Sequence, residues 1–262
     1  MSWYTLPPTT SLSAGSESPV FAYIDNGEPL IAAVPYTTIV ATYGLAYNAH
    51  TFSRVLALAP KHNFRIVAVN RRCYGGSTSF AQEQMSALPT APDEEKAIFV
   101  RATGIDFAAF VDRFIRANNI PPTSPDGKSG GIAILGWSAG YGVVISALAN
   151  LEHMLLATQA LFKSHVRRLV MQEPPPLSPG AWFFEMDGSI PQKHRRRMGT
   201  NWITSYFNRG DLSTRDRPFV LSHLVPSIST RAPSIYNMSQ QEFVTIVGET
   251  VSELEVMAFC GK

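Results

Sequence analysis

The chain has 262 residues, of which 45% are hydrophobic and 16% charged, with a net charge of +2. This globular balance suits one α/β domain, or one domain with a long insertion, and supplies enough apolar residues for an independent core. So small a net charge gives no basis for nucleic-acid or membrane-surface binding, and no apolar run reaches the roughly 18 residues of a membrane span.

The first segment, residues 1–18, is rich in Thr, Ser and Pro and reads as an irregular leader. It has no basic region followed by an apolar one, so a signal peptide is not expected. Val20–Tyr23 reads as a short strand, and Asp25-Asn26-Gly27 supplies hairpin-turn residues. The β-branched run Thr37–Thr42 predicts a buried strand ending at Tyr43-Gly44. A helix is expected over Ala49–Leu58, and Phe64–Val69 is the next strand, ending at Asn70-Arg71-Arg72.

Glu94–Asn118 reads as one long amphipathic helix, with Ile98, Ala102, Ile105, Ala108, Val111 and Ile115 at steps of three or four. Phe107, Phe110 and Phe114 widen that stripe, Asp93 is the expected cap, and Pro121-Pro122 closes the segment. A polar loop over Pro121–Gly131 leads to the apolar strand Ile132–Leu135. Helix is expected over Ser138–Ala149 and again over Glu152–Phe162, and then a strand over Val166–Met171 ending at Gln172-Glu173. Alternating strands and helices predict a mainly parallel sheet flanked by helices, with sites just beyond the carboxyl ends of the strands. That rule selects Tyr43-Gly44, Asn70–Ser77, Ser138 and Glu173.

After Leu177 the alternation stops, while aromatic residues, Met and Arg become common. The expected organisation is a leader over 1–18, an α/β core over 19–177, and a cap segment with a tail over 178–262. Thr200–Asn208 and Gln240–Val247 are candidate helices there. The basic run His194-Arg195-Arg196-Arg197 reads as a solvated helix face. Two cysteines, Cys73 and Cys260, make no disulfide framework and suit a reducing, cytoplasmic setting.

The chemistry-bearing motif is Gly136-Trp137-Ser138-Ala139-Gly140. A serine on a sharp strand-to-helix turn needs small neighbours two residues away, because side chains there would clash. The turn lifts the hydroxyl above the sheet and points the next helix's N–H groups at a developing oxyanion. An apolar strand precedes this motif and the apolar helix Gly142–Leu148 follows, which is the context it requires.

On these residues the chain resembles the α/β-hydrolase superfamily, in its cap-bearing branch. Ala41-Thr42-Tyr43-Gly44-Leu45 followed by Ala49-His50-Thr51-Phe52 is similar to that family's oxyanion loop and next helix. Asn70-Arg71-Arg72-Cys73-Tyr74-Gly75-Gly76-Ser77 is similar to its Asp-x-Arg-Gly-x-Gly-x-Ser segment, and Val170–Pro174 to the strand after the elbow helix. The resemblance covers about residues 20–176, with Tyr43 at the usual oxyanion His and Cys73 at the usual Gly. It implies Ser138 as nucleophile, and oxyanion donors from Ala139 and from Leu45 or Gly44. It also implies an orienting carboxylate, for which Glu173 is placed, with Asp187 and Asp211 as lesser alternatives.

The family's base is a histidine near the C-terminus, after the last strand. The histidines here are His50, His62, His153, His165, His194 and His223, and none follows a recognisable late strand. The residues after Ser138 are too few for a cap and two further strand-helix units, so those strands and the catalytic His are expected to be missing. The implied function is hydrolysis of a small apolar ester, lactone or similar acyl substrate, with Trp182, Phe183, Phe184, Trp202, Tyr206 and Phe207 as pocket or cap-core residues. A non-catalytic small-molecule binder and a cofactor-free haloperoxidase-like or lyase-like relative are the alternatives. No metal-ligand spacing, phosphate loop or nucleotide fingerprint occurs, so no cofactor or metal is expected.

Overall fold

The computed structural model describes residues 4–5, 18–29, 36–45, 47–174, 204–206, 213 and 231–247. The chain divides into two compact units, residues 1–183 with 246–262, and residues 184–245. The first holds a sheet of six strands: β1 (Tyr4–Thr5), β2 (Ala22–Asp25), β3 (Thr37–Thr42), β4 (Phe64–Val69), β5 (Ile132–Trp137) and β6 (Val166–Gln172). Their order is β1-β2-β4-β3-β5-β6. The four strands from β4 to β6 run parallel, and β1 and β2 add antiparallel pairs at one edge. The fold is thus the mainly parallel α/β sheet expected from alternation.

Among the described residues the helices are α1 (Ser53–Leu58), α2 (Gln82–Ala87), α3 (Asp93–Ala117), α4 (Gly140–Ala149), α5 (Leu156–His165) and α6 (Gln240–Ile246). Short 3-10 turns at Ala49–Phe52 and Leu151–His153 take up the starts of two expected helices. Helix α2 had no sequence signal. Its hydrogen-bonded entry, Met85 N–H to the Ala81 carbonyl, lies on an exposed polar segment without apolar periodicity.

Two expectations need correction. Asp93 is the first residue of α3, and Pro92 is its N-cap. Proline cannot donate but presets the entry dihedral, so it starts the helix well. The buried stripe of α3 is as expected from Phe107 onward, but nearer its start Thr103 and Gly104 are buried while Ile98 is 61% exposed. Helix α4 lies so close that a Cβ on Gly104 would run into Ser146 Oγ and stand 2.5 Å from the Ser146 carbonyl carbon. Close approach, not apolar character, decides that face. The expected hairpin at Asp25-Asn26-Gly27 is described for its first arm and turn. The Asp25-Asn26-Gly27 turn forms, with Gly27 at φ +77° and its N–H donating to Asp25 Oδ1 at 2.8 Å. The partners of β2 are β1 and β4, and residues 30–35, where a second hairpin arm would be sought, lie outside the described residues.

The core sits between the sheet and helices α3 and α4. Phe21, Tyr23, Val40, Val67, Val69, Phe107, Phe110, Phe114, Ile134 and Val143 pack there. Phe110 and Phe114 meet the Tyr23 ring edge-on at centroid distances of 5.7 and 5.6 Å, a geometry that aromatic quadrupoles favour. At the end of the sheet away from the elbow, Arg65 and Asp25 form a buried ion pair at 2.6 Å, and Arg65 also donates to Asn118 Oδ1 at 2.7 Å.

Within the second unit, Ser239 and Glu242 form a reciprocal cap at the start of α6. Ser234 N–H donates to the Thr204 carbonyl at 2.7 Å, and the Arg231 guanidinium lies over the Tyr206 ring. Most of the expected cap, including His194, His223, Asp187, Asp211 and every pocket aromatic but Tyr206, lies outside the described residues, as does the tail from 248. Among the described residues no helix is long and apolar enough to cross a membrane.

Candidate active site

Strands β3, β4, β5 and β6 deliver their carboxyl ends to one rim, and three of the following loops contain non-glycine residues at positive φ. These are Cys73 at +68° after β4, Ser138 at +49° after β5 and Glu173 at +48° after β6. Left-handed backbone is costly for L-residues and persists where surrounding structure enforces it.

At Ser138 the enforcement is visible on both sides. A Cβ on Gly136 would stand 2.5 Å from the Cα of Tyr141, and one on Gly140 would stand 2.7 Å from the Tyr43 carbonyl oxygen. Both contacts are with backbone, so only glycine fits. The Ser138 N–H donates to the Gln172 carbonyl at 2.9 Å, and its own carbonyl accepts from Tyr141 N–H at 3.0 Å. The serine is partly exposed at the rim. Helix α4 begins at Gly140, two residues later than expected, because Ser138 and Ala139 form the turn.

The loop after β3 comes against this turn. A Cβ on Gly44 would stand 3.0 Å from Ser138 Cβ and 3.4 Å from Ser138 Oγ. Gly44 and Ala139 are buried. Among the described residues the N–H groups of Gly44, Leu45 and Ala139 donate no hydrogen bond. Unpaired buried N–H groups are rare in folded proteins. Two of the three, on Gly44 and Ala139, are buried; Gly44 lies against Ser138 and Ala139 follows it, so this part of the rim would welcome an anionic oxygen.

Glu173 is exposed, and its carboxylate accepts from the Trp137 indole N–H at 3.1 Å. The Trp137 ring in turn stacks on Tyr47 at 5.7 Å. Tyr47, Trp137 and Glu173 therefore form a continuous line of contacts, with Trp137 next to Ser138 in the chain. Trp137 was visible only as the unspecified residue of the motif, and Tyr47 had no sequence signal, since its role depends on the loop's path.

No histidine ring is hydrogen-bonded to Ser138 or Glu173 among the described residues. His50 Nδ1 lies 3.3 Å from Ser53 Oγ, and burial lowers its pKa below the ordinary 6.5. His165 is held by Ser164 and by the Leu161 and Ile120 carbonyls. His153 lies 3.8 Å from Glu152. Among the described residues no three His, Cys, Asp or Glu side chains gather as a metal site would require.

The segment after β4 buttresses the rim. Asn70 is fully buried; its Oδ1 accepts from Ala49 N–H and its Nδ2 donates to the Gly75 carbonyl, each at 2.9 Å. A neutral amide serves both bonds, where a carboxylate could only accept. Cys73 takes the positive φ that the family's glycine would take freely, and its Sγ accepts from Phe80 N–H at 3.4 Å.

The chain matches no protein-family model and no curated protein. Among solved structures it is similar to an N-acyl homoserine lactonase, AidH, at 13% identity and TM-score 0.38, covering 68% of this chain and 47% of that one. An esterase from Exiguobacterium antarcticum is 16% identical with TM-score 0.36, covering 78% of this chain and 55% of that one. A bromoperoxidase from Bacillus anthracis is 11% identical with TM-score 0.41, covering 95% and 71%. The chain spans about half the length of the first two. The chemistry of the rim rests on its own geometry.

Proposed function

We propose that this chain is a serine hydrolase of the α/β-hydrolase type, acting on a small apolar ester, lactone or related acyl compound. The observation that carries this reading is that Gly44, which lies against Ser138, Ala139, which follows it, and Leu45 have N–H groups that donate no hydrogen bond among the described residues, while Ser138 itself stands at φ +49° on a strand-to-helix turn. In the proposed reaction Ser138 Oγ attacks the acyl carbonyl, and the carbonyl oxygen gains negative charge. The N–H of Ala139 and that of Gly44 or Leu45 would bind that oxygen, a contribution worth about 3–4 kcal/mol per donor in comparable sites. The Trp137–Tyr47 pair offers the acyl group an apolar surface. Glu173 would orient the base, as carboxylates do in such triads, and its indole partner holds it at the rim meanwhile.

A second reading has its own support. The Glu173 carboxylate is engaged by Trp137, and no described histidine ring reaches Ser138. A binding-only protein of the same fold would look this way, since fold does not dictate chemistry.

Treatment of the full chain with a fluorophosphonate probe, with adduct mapping by mass spectrometry and Ser138→Ala as control, separates the two. Labelling at Ser138 that the substitution abolishes supports the hydrolase. Folded protein that stays unlabelled supports the binder.

A further inference from the structure

We propose that Arg71 is the positioning residue of the oxyanion loop, aiming the Gly44 and Leu45 N–H groups by holding the two carbonyls behind them; this rests on reading Ser138 as the nucleophile. Arg71 is 3% exposed and sits behind the loop after β3. Its Nη1 donates to the Tyr43 carbonyl, and to Thr42 Oγ1 at 3.3 Å. Its Nη2 donates to the Gly44 carbonyl at 3.3 Å and to the Tyr74 hydroxyl at 3.1 Å.

The consequence follows from peptide geometry. A trans peptide is planar, so its C=O and N–H point in opposite directions. The Tyr43 carbonyl belongs to the same peptide plane as the Gly44 N–H, and the Gly44 carbonyl to the same plane as the Leu45 N–H. A guanidinium that draws both carbonyls toward itself turns both N–H groups away from itself. Those two N–H groups donate no hydrogen bond among the described residues, and Gly44 lies against Ser138.

The surroundings suit this task. Tyr43 stands where the resembled family has a histidine. Its hydroxyl accepts from the Arg71 backbone N–H at 3.2 Å, and its ring faces the guanidinium at 4.4 Å. Tyr74 lies edge-on to Tyr43 at 5.2 Å and offers its own ring to Arg71 at 5.0 Å. Two aromatic faces and a fork of acceptors fix the guanidinium plane. A lysine would bring a point charge with no fork and no plane to stack.

The test uses Arg71→Lys in the full chain. Its folding is checked by thermal unfolding, and its fluorophosphonate labelling is resolved into probe binding (KI) and the bond-forming rate (kinact). Misplacement of a catalytic group by about 1 Å costs about a hundredfold, so a fall in kinact of about tenfold or more is expected, with KI within about twofold. The amide resonances of Gly44 and Leu45 should move, while those of β6 stay. If the substituted protein does not fold, Tyr74→Phe, which removes the hydroxyl that accepts from Nη2, is read by the same two measurements. Folded variants with unchanged kinact and unmoved Gly44 and Leu45 resonances would overturn the proposal. Wild-type protein that never labels would sink the hydrolase reading alone, and the amide resonances would then decide the role of Arg71.

Discussion

Gly44 and Ser138 are neighbours across the rim: a Cβ on Gly44 would stand 3.0 Å from Ser138 Cβ and 3.4 Å from its Oγ. Gly44→Ala therefore adds a methyl group beside the nucleophile, where the serine must give way by a few tenths of an ångström. Gly44 does not lie at positive φ, so backbone strain is not part of the change. Labelling of Ser138 by a fluorophosphonate should slow by about tenfold or more, a displacement effect of the kind that positioning errors produce. Thermal stability should change little. An alanine variant that labels at the wild-type rate would show that this contact does not restrict the serine.

Gly140→Ala tests the turn itself. The new Cβ would meet the Tyr43 carbonyl oxygen at 2.7 Å and the Thr42 carbonyl at 2.8 Å, all backbone. Overpacking of this kind costs about 1–3 kcal/mol. Urea denaturation should show a midpoint shift of that size, and Ser138 labelling should fall with it because helix α4 is displaced. Full stability in the variant would mean that the turn is softer than its contacts imply.

Asp25→Ala addresses the buried pair at the other end of the sheet. Arg65 and Asp25 have side chains only 7% and 10% exposed and sit 2.6 Å apart. Removing Asp25 leaves the buried Arg65 charge facing the exposed Glu28 at 3.8 Å in its place, and loss of one partner of a buried pair costs about 3–5 kcal/mol. The loss is also felt by Gly27 N–H, which donates to the same carboxylate. Equilibrium unfolding should register destabilisation in that range with Ser138 reactivity intact at temperatures where the variant is folded. A loss below about 1 kcal/mol would place this pair with ordinary surface pairs.

Asp106 supplies a pH dependence. Burial raises its pKa above the ordinary 3.8, although Arg72 lies 2.9 Å away and opposes the shift. A carboxyl whose folded pKa is raised binds its proton more tightly in the folded state than in the unfolded one. Its contribution to stability is thus fully present below 3.8 and is lost as pH rises through the raised value. The stability difference between wild type and Asp106→Asn should therefore decline with rising pH across that window and then level off. Urea titrations at a series of pH values measure it, and a difference that grows with pH would contradict the burial argument.

Much of this rim was legible because its constraints are local. The Gly-x-Ser-x-Gly spacing, the apolar strand before it and the apolar helix after it all lie within one short stretch, and each demands the others sterically. Strands β3 and β4 were legible for a similar reason: in a buried parallel sheet a continuous β-branched run has nowhere else to go. The start of α3 was not, because its buried face is set by Gly104 against Ser146, a contact between helices distant in sequence.

The alternating α/β plan and the position of Ser138 at the end of a strand are written into local residue patterns. Both follow from periodicity and from side-chain size within a few residues. Tertiary structure alone decided that β2 runs between β1 and β4, that Glu173 meets Trp137, and that Arg71 reaches the carbonyls of Tyr43 and Gly44. These pairings join residues that share no local pattern. A hydrogen bond between them depends on where the sheet brings two loops together, and that geometry exists only after the core has packed.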